Sequence, residues 1–441
     1  MIRRVAQYSG ELSVALLRIS SIAVGPITAL AIASRLSLVE QGYYFSFVSI
    51  LAARAVFDAG VAQVIVNTTG QEGSSLAVDR KSGVSGPADA VASVRDIFHF
   101  AIGWYGAAAV AMLLFVGAGG YAFFASSAHA DVNWQWPWIF FVVLGSIDFA
   151  LQAFWTLLEG LNQIVHIYLM RSVKAIASVL ALASIIFLNG GLWSVVGYMA
   201  AAVVVNLVLI FSWRALFTFL AKASGGSLSW RQAIWPFQWR MAVSWAGGYL
   251  AIPLFVPIVF RVTGPAAAGK VGMTMAIVTA AASLSQSVID AKVPYFCGVI
   301  AARQWNELDR RFFRRGMVSI FLFLATLAAG VIAILVFEML GIHFTSRIVS
   351  WPIFALFAGG ALVNQVISLE AIYMRCHRRE PMMWPSIIGG LIAAPATYIL
   401  VVHFGGAGVG ISYLGLSMFF GLPVATTILI VIRSRWHVLA A

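Results

Sequence analysis

A chain of 441 residues that is 61% hydrophobic and only 10% charged does not have the composition of a soluble globular protein. Its apolar runs are about 20 residues or longer and show no strand-length alternation between turns, which excludes an outer-membrane barrel and points to a bundle of membrane-spanning helices. The formal net charge of +12 would suggest nucleic acid in a soluble protein, but here it belongs to loop asymmetry, and no nucleic-acid partner is expected.

Twelve stretches meet the ~20-residue span criterion. They lie at 12–36, 43–69, 97–124, 136–158, 163–188, 192–213, 238–260, 268–290, 316–340, 349–373, 382–403 and 409–432. The opening MIRRV and the run after it have some signal-peptide character. Arg18 interrupts that run, and the run is too long, so it is expected to be the first transmembrane helix, uncleaved. Gly25 and Pro26 in this span, and Gly247, Gly248, Pro253 and Pro257 in the seventh, are candidate hinges. Proline removes a ladder hydrogen bond, and such a break is tolerated only against protein or water. Pro395 and Pro423 mark two further candidate bends.

The second span carries Arg54 and Asp58 deep inside it. At about 1.5 Å per residue Arg54 lies roughly 15–17 Å from the Tyr44 end, near the bilayer midplane. An ion there costs from ~2.5 to over ~10 kcal/mol unless it faces protein or a watery cavity. At i and i+4 the two side chains share a helix face. Either they neutralise each other as a structural pair, or they line a polar cavity that something charged passes through.

The longest connection, roughly Gly70 to Arg95 (GQEGSSLAVDRKSGVSGPADA), reads as a mobile loop with no fold of its own. Span four carries Asp148, Gln152, Trp155 and Glu159 at i, i+4, i+7 and i+11, a continuous polar stripe. Span five aligns Arg171, Lys174 and Ser178 on one face, span eight has Ser283, Gln286 and Asp290, and span ten has Asn364, Ser368 and Arg375. For the uncharged members, interhelical hydrogen bonding at roughly 0.6 kcal/mol each is the better reading. Asp148 is read equally as an ion or proton site and as a structural partner for Lys174 or Arg54. The segment Ala302 to Arg315 is basic and amphipathic, and is expected either along the inner headgroups or as an ordinary turn.

Loop charges set the orientation. Twenty of the 28 Lys and Arg fall on one side, and only Arg35, Arg261, Lys270 and Arg347 on the other. Both termini are therefore expected in the cytoplasm. Cys297 and Cys376 sit near cytoplasmic helix ends, where neither a disulfide nor a metal site is expected. Four cations remain within the membrane: Arg18, Arg54, Arg171 and Lys174. Arg18 and Arg171 lie close enough to inner helix ends to snorkel, whereas Arg54 and Lys174 are deeper.

An internal repeat organises the chain. Trp136-Pro137 answers to Trp351-Pro352 at an offset of 215 residues, as do Gly190-Gly191 to Gly405-Gly406 and Tyr198 to Tyr413. The first span leaves the membrane at Arg35-Leu-Ser with Gly42 following, and the seventh at Arg261-Val-Thr with Gly269 following. The expected fold is thus an all-α polytopic membrane protein of two six-helix lobes, 1–225 and 226–441. An even number of spans per lobe makes the repeat parallel, a pseudo-two-fold along the membrane normal.

No catalytic constellation is present. The seven histidines form no i, i+4 pair, no GxxxxGK[ST] loop occurs, and the outer loops are too short and poor in acids for a membrane glycosyltransferase. No enzyme activity, cofactor or metal is expected.

A helix ending in RLSLVEQGYYFSF, followed by one carrying VFDAG and closing in NTTGQE, resembles the start of a Wzx-type O-antigen or polysaccharide flippase. That family lies within the multidrug/oligosaccharidyl-lipid/polysaccharide exporter superfamily, and its layout is similar along this whole chain. The resemblance implies a bacterial inner-membrane protein that moves undecaprenyl-pyrophosphate-linked oligosaccharide repeat units to the periplasmic leaflet for O-antigen, capsule or exopolysaccharide. Its partners would be membrane lipids and the polysaccharide polymerase or chain-length machinery. Arg18, Arg54, Arg171 and Lys174 would meet the pyrophosphate in a cationic cavity. Gln152, Asn364 and Gln365 would hydrogen-bond sugars, Trp155 would stack on them, and Asp58, Asp148 and Glu159 are candidates for ion coupling. The alternative is an ion-coupled drug or organic-cation exporter of the multidrug-extrusion branch, which favours a cavity dominated by acids. A non-transporting scaffold would need no buried charges.

Overall fold

The computed structural model describes residues 25–80, 83–127, 132–222, 252–290, 292–341, 343–377 and 381–438, with a few positions between 239 and 249. In hydrocarbon every backbone N–H and C=O must be satisfied within its own segment, and the chain accordingly folds as helices. Among the described residues nine helices are long and apolar enough to cross a bilayer. A tenth span is a pair bent by 44°, Leu38–Asp58 with Val61–Glu72. The protein is an all-α, multi-pass membrane protein. The first and seventh expected spans fall partly outside the described residues, and Arg18 lies wholly outside them.

Two compact units form, one from the described residues of 1–35 and 50–245, the other from those of 36–49 and 246–441. Helix α1 is described over 25–35. It is followed by α2 (Leu38–Leu51), α3 (Arg54–Asp58) and α4 (Val61–Glu72). The first unit continues with strands β1 (Ala77–Asp79) and β2 (Gly83–Ser85), then α5 (Ala88–Ala125), α6 (Gln135–Ala150) and α7 (Gln152–Gly160). It ends with α8 (Ile164–Phe187), α9 (Trp193–Ser212) and the short α10 (Arg214–Leu220). Its aromatic core includes Phe98 and Phe217 with stacked rings 5.9 Å apart, among Trp155, Leu209 and Trp213.

The second unit holds α11 (Phe255–Thr263), α12 (Pro265–Asp290), α13 (Val293–Ala301) and α14 (Trp305–Met339). After these come α15 (Trp351–Cys376), α16 (Met383–Phe404), α17 (Gly406–Leu416) and α18 (Leu422–Val438). The first part of α2 packs here on α12. A Cβ on Gly42 would lie 1.9 Å from the Pro265 carbonyl oxygen, and one on Gly269 would lie 2.9 Å from the Gly42 nitrogen. The crossing is fastened by Gln41, whose Nε2 donates to the carbonyls of Gly269 at 2.8 Å and Arg347 at 3.0 Å. Large apolar side chains such as Phe115 (73% exposed) and Phe321 (72%) point outward, as lipid-facing positions do.

The 215-residue repeat is visible in the elements themselves. The openings of α6 and α15, the ends of α8 and α16, and the openings of α9 and α17 match at that offset to within two residues. Left-handed residues Asn189 (φ 59), Gly191 (φ 54) and Gly405 (φ 57) make the corresponding turns.

Two expectations are corrected. The 70–95 connection is not a loop without structure: a 3₁₀ turn leads into the antiparallel β1–β2 hairpin, and α5 begins at Ala88, well ahead of the apolar run. The hairpin is tied down because Arg80 Nε donates to the Ser212 carbonyl at 2.8 Å. The basic 302–315 segment is not a separate surface helix, since from Trp305 it is continuous with the ninth span in the 35-residue α14. At 1.5 Å per residue that helix is about 50 Å long, so its Arg-rich first turns project beyond the ~30 Å of hydrocarbon.

Of the candidate hinges, Pro253 lies in a turn at 252–254 that interrupts the seventh span just before α11. Pro257 is the third residue of α11, where its missing N–H leaves no ladder bond unmade. Gly247 is closely packed: a Cβ there would meet the Ser386 carbonyl oxygen at 2.6 Å, while Gly248 has open space. Gly25 and Pro26 open the described part of α1, so the bend expected there falls at the edge of the described residues. Pro395 sits inside α16, and Pro423 follows a π turn at Ser417–Gly421.

Candidate functional site

The polar stripe of span four becomes the centre of a charged cluster inside the first unit. A turn at Leu151 divides the span into α6 and α7, with Asp148 in the last turn of α6 and Trp155 and Glu159 on α7. The Asp148 side chain is 8% exposed. Its Oδ1 accepts from Lys174 Nζ on α8 and from Asn206 Nδ2 on α9, the latter at 2.8 Å. Its Oδ2 faces Arg54 Nη1, on α3, at 3.5 Å. Asn206 Oδ1 in turn accepts from Trp155 Nε1 at 3.0 Å. Helices from four spans therefore meet at one carboxylate. Buried polar atoms are tolerated here because each finds a partner.

A second ion pair extends the cluster along α7. Arg171 donates to Glu159 Oε2 at 2.6 Å. Arg171 and Lys174 both lie over the Trp155 ring, at 6.0 and 5.8 Å from its centroid, within cation–π range. Within ion-pair reach three cations meet two carboxylates, leaving one positive charge in excess. The longest contact belongs to Arg54, whose side chain is 53% exposed against 25% for Lys174. Arg54 is thus the cation with room for a further anion.

Of the two readings of Arg54 and Asp58, the structure does not show the mutual ion pair. Asp58 is buried and accepts from the Tyr105 hydroxyl at 2.6 Å, while Arg54 reaches Asp148 instead. The cause is local. The second span is not one helix: α3 is five residues long, and Ala59 (φ 51) and Gly60 (φ 73) turn the chain into α4. VFDAG carries that break, with Gly60 supplying the left-handed conformation at no steric cost.

Other expected residues land in different settings. Trp155 is 3% exposed, with its N–H used by Asn206 and its ring beneath two cations, so it is a core element of the cluster and not a free stacking platform. Gln152 is half-buried at the first residue of α7. Asn364 and Gln365 belong to the second unit, where Asn364 is half-buried. Gln365 is 3% exposed and its Nε2 donates to Gln286 Oε1 at 3.0 Å and Ser319 Oγ at 3.1 Å, an interhelical bond set. Two members were missed. Asn206 was signalled by a lone amide in the otherwise apolar WSVVGYMAAAVVVNLVLIFS. Tyr105 had no signal beyond being a tyrosine in a long apolar run.

No protein-family model matches the sequence, and no curated relative is found by it. Solved structures do match in fold. A multidrug resistance MATE family transporter of the MOP superfamily, in an inward-facing conformation, superposes with a TM-score of 0.61 at 13% identity, over 95% of this chain and 99% of that one. The lipid II flippase MurJ in an inward closed conformation gives 0.63 at 11% identity, over 94% and 86%. A MOP superfamily transporter from Pyrococcus furiosus, described as having a binding pocket of reverse polarity, gives 0.51 at 13% identity, over 96% of each chain. The chain has the fold of MOP superfamily transporters.

Proposed function

We propose that this protein is a flippase that carries undecaprenyl-pyrophosphate-linked oligosaccharide repeat units across the bacterial inner membrane, for O-antigen, capsule or exopolysaccharide assembly. The observation that carries the reading is the sign of the cluster: three cations share two carboxylates, and the half-exposed Arg54 holds the excess charge. In a site of low dielectric a guanidinium with an open valence attracts a phosphate far more strongly than it would in water. Likeness in fold to a lipid II flippase agrees with a lipid-linked substrate. The lobes 1–225 and 226–441 would alternate access through the interruption at Pro253 and its counterpart at Gly25-Pro26, with both termini in the cytoplasm. The product would pass to the polymerase and chain-length machinery.

The drug-exporter alternative has MATE-type folds in its favour. It calls for accessible acids, whereas Asp148 is 8% exposed and already shared by two cations, and Glu159 is paired with Arg171.

The test is complementation in a strain lacking its own flippase. Arg54→Ala should abolish surface glycan while membrane abundance stays normal, and Arg54→Lys should retain part of the export. Normal export by Arg54→Ala at normal abundance would remove the phosphate-binding role.

A further inference from the structure

The first unit also has a polar concavity, which shares Glu159 with the charged cluster. An open cleft of about 650 Å³ lies between the C-terminal end of α4, the turn after α7 and the β1–β2 hairpin. That volume is within the ~300–1,000 Å³ of small-ligand sites. Its polar lining is dominated by neutral amides: Asn67 and Gln71 from α4, Asn162 and Gln163 from the turn. The one charged side chain in the lining, Glu159, is neutralised by Arg171 at 2.6 Å. The last turns of α4 and α7 both end at its wall, where the turns that follow cap most of their carbonyls: Gly73 N–H donates to Thr69 and Gln71, and the N–H groups of Leu161, Asn162 and Gln163 donate to Leu157, Glu159 and Leu158. Half-buried Leu76 supplies an apolar edge beside these groups, with the core residue Leu161 behind it.

The neutral amides and the paired Glu159 favour a neutral ligand rich in hydroxyls over an anion. A primary amide both donates and accepts, so it satisfies a hydroxyl in either direction. The half-buried Leu76 can meet the C–H face of a pyranose ring. The amides are accessible, since Asn67 and Asn162 are both exposed. Asn67 Oδ1 accepts one bond from Gln63 at 2.9 Å, and Gln163 donates weakly to the Leu161 carbonyl at 3.3 Å. Both amides keep further donor or acceptor capacity. Asn162 stands at φ 59, a conformation that asparagine tolerates and that turns the residue out at the cleft.

We propose that this cleft is a carbohydrate subsite, adjoining the charged cluster at Glu159 but not including Arg54, that holds neutral sugar residues on the side of the membrane the loop charges assign to the cytoplasm. The inference rests on the flippase reading for its biological substrate, but the binding itself is measured without transport.

The experiment uses the full chain in lipid nanodiscs and saturation-transfer NMR with neutral gluco-, galacto- and N-acetylated tetrasaccharides at millimolar concentration. Signals are expected from at least one tetrasaccharide and should fall at least tenfold in the double variant Asn67→Ala, Asn162→Gly. Glycine keeps the positive φ, and both positions are exposed, so the fold is retained. Arg54→Ala should leave these signals unchanged. Signals from no tetrasaccharide, or equal signals from the double variant, would overturn the subsite. A failed flippase reading shows separately, as normal export by Arg54→Ala. Repeating the measurement in nanodiscs loaded with undecaprenyl-pyrophosphate-linked oligosaccharide distinguishes the two sources of sugar: competition assigns the cleft to the lipid-linked form, and no competition assigns it to free saccharide.

Discussion

Replacing Asp148 by asparagine keeps size and shape but removes the one charge on which the cluster converges. Lys174, with 25% of its side chain exposed, would lose its carboxylate and remain mostly desolvated. Breaking a buried pair from one side costs about 3–5 kcal/mol, and the partial exposure of Lys174 places this case near the lower end, ~3 kcal/mol. Arg54 adds little, since its contact is 3.5 Å long and its side chain 53% exposed, which limits the pair to under ~1 kcal/mol. Asn206 can still donate to the new amide oxygen, so that bond survives. At 2–4 °C per kcal/mol for a unit of about 200 residues, the melting temperature of the purified protein should fall by roughly 6–12 °C. The double variant Asp148→Asn, Lys174→Met should recover most of the loss, because an apolar side chain replaces the stranded ammonium. The assay is thermal unfolding in detergent, with membrane abundance as the cellular counterpart. An Asp148→Asn protein melting within about 2 °C of wild type would refute the account of Asp148 as the charge that holds the cluster together.

Further outcomes follow from other contacts. Asn206→Leu leaves both Trp155 Nε1 and one Asp148 bond unmade and should cost about 1–3 kcal/mol, measured by the same melt. Tyr105→Phe strips buried Asp58 of its 2.6 Å bond and should cost about 1–3 kcal/mol, whereas Asp58→Asn keeps an acceptor for Tyr105 and should cost less. Gly42→Ala places a Cβ 1.9 Å from a backbone oxygen that cannot move aside, and should sharply lower membrane abundance. Gly103→Ala, in the open on α5, should be neutral or stabilising by up to ~1 kcal/mol.

What the sequence determined by itself was whatever depends on spacing along the chain. Span length and the choice of helix over barrel follow from the extent of apolar runs, which the bilayer imposes on any chain that crosses it, and the 215-residue repeat from Trp-Pro, Gly-Gly and Tyr recurring at one offset. The residues of the cluster were legible too, because a charge in a span is expensive wherever it sits: Arg54, Asp148, Glu159, Arg171 and Lys174 were all singled out. Their partners were legible only in part: Asp148 was one candidate partner for Lys174 or Arg54, while Asn206 and Tyr105 were not foreseen. Spacing at i, i+4 put Arg54 and Asp58 on one face and left a structural pair as one of two readings, but the left-handed Ala59 and Gly60 and the packing of α5 turn Asp58 toward Tyr105. Only the approach of four spans gave Asp148 to Lys174, Arg54 and Asn206 at once. The same holds for Trp155, whose exposure no local pattern records and which tertiary packing set at 3%. A hydrogen-bond partner from a distant helix is a property of how faces meet, and neighbours in the sequence carry no information about which faces those are.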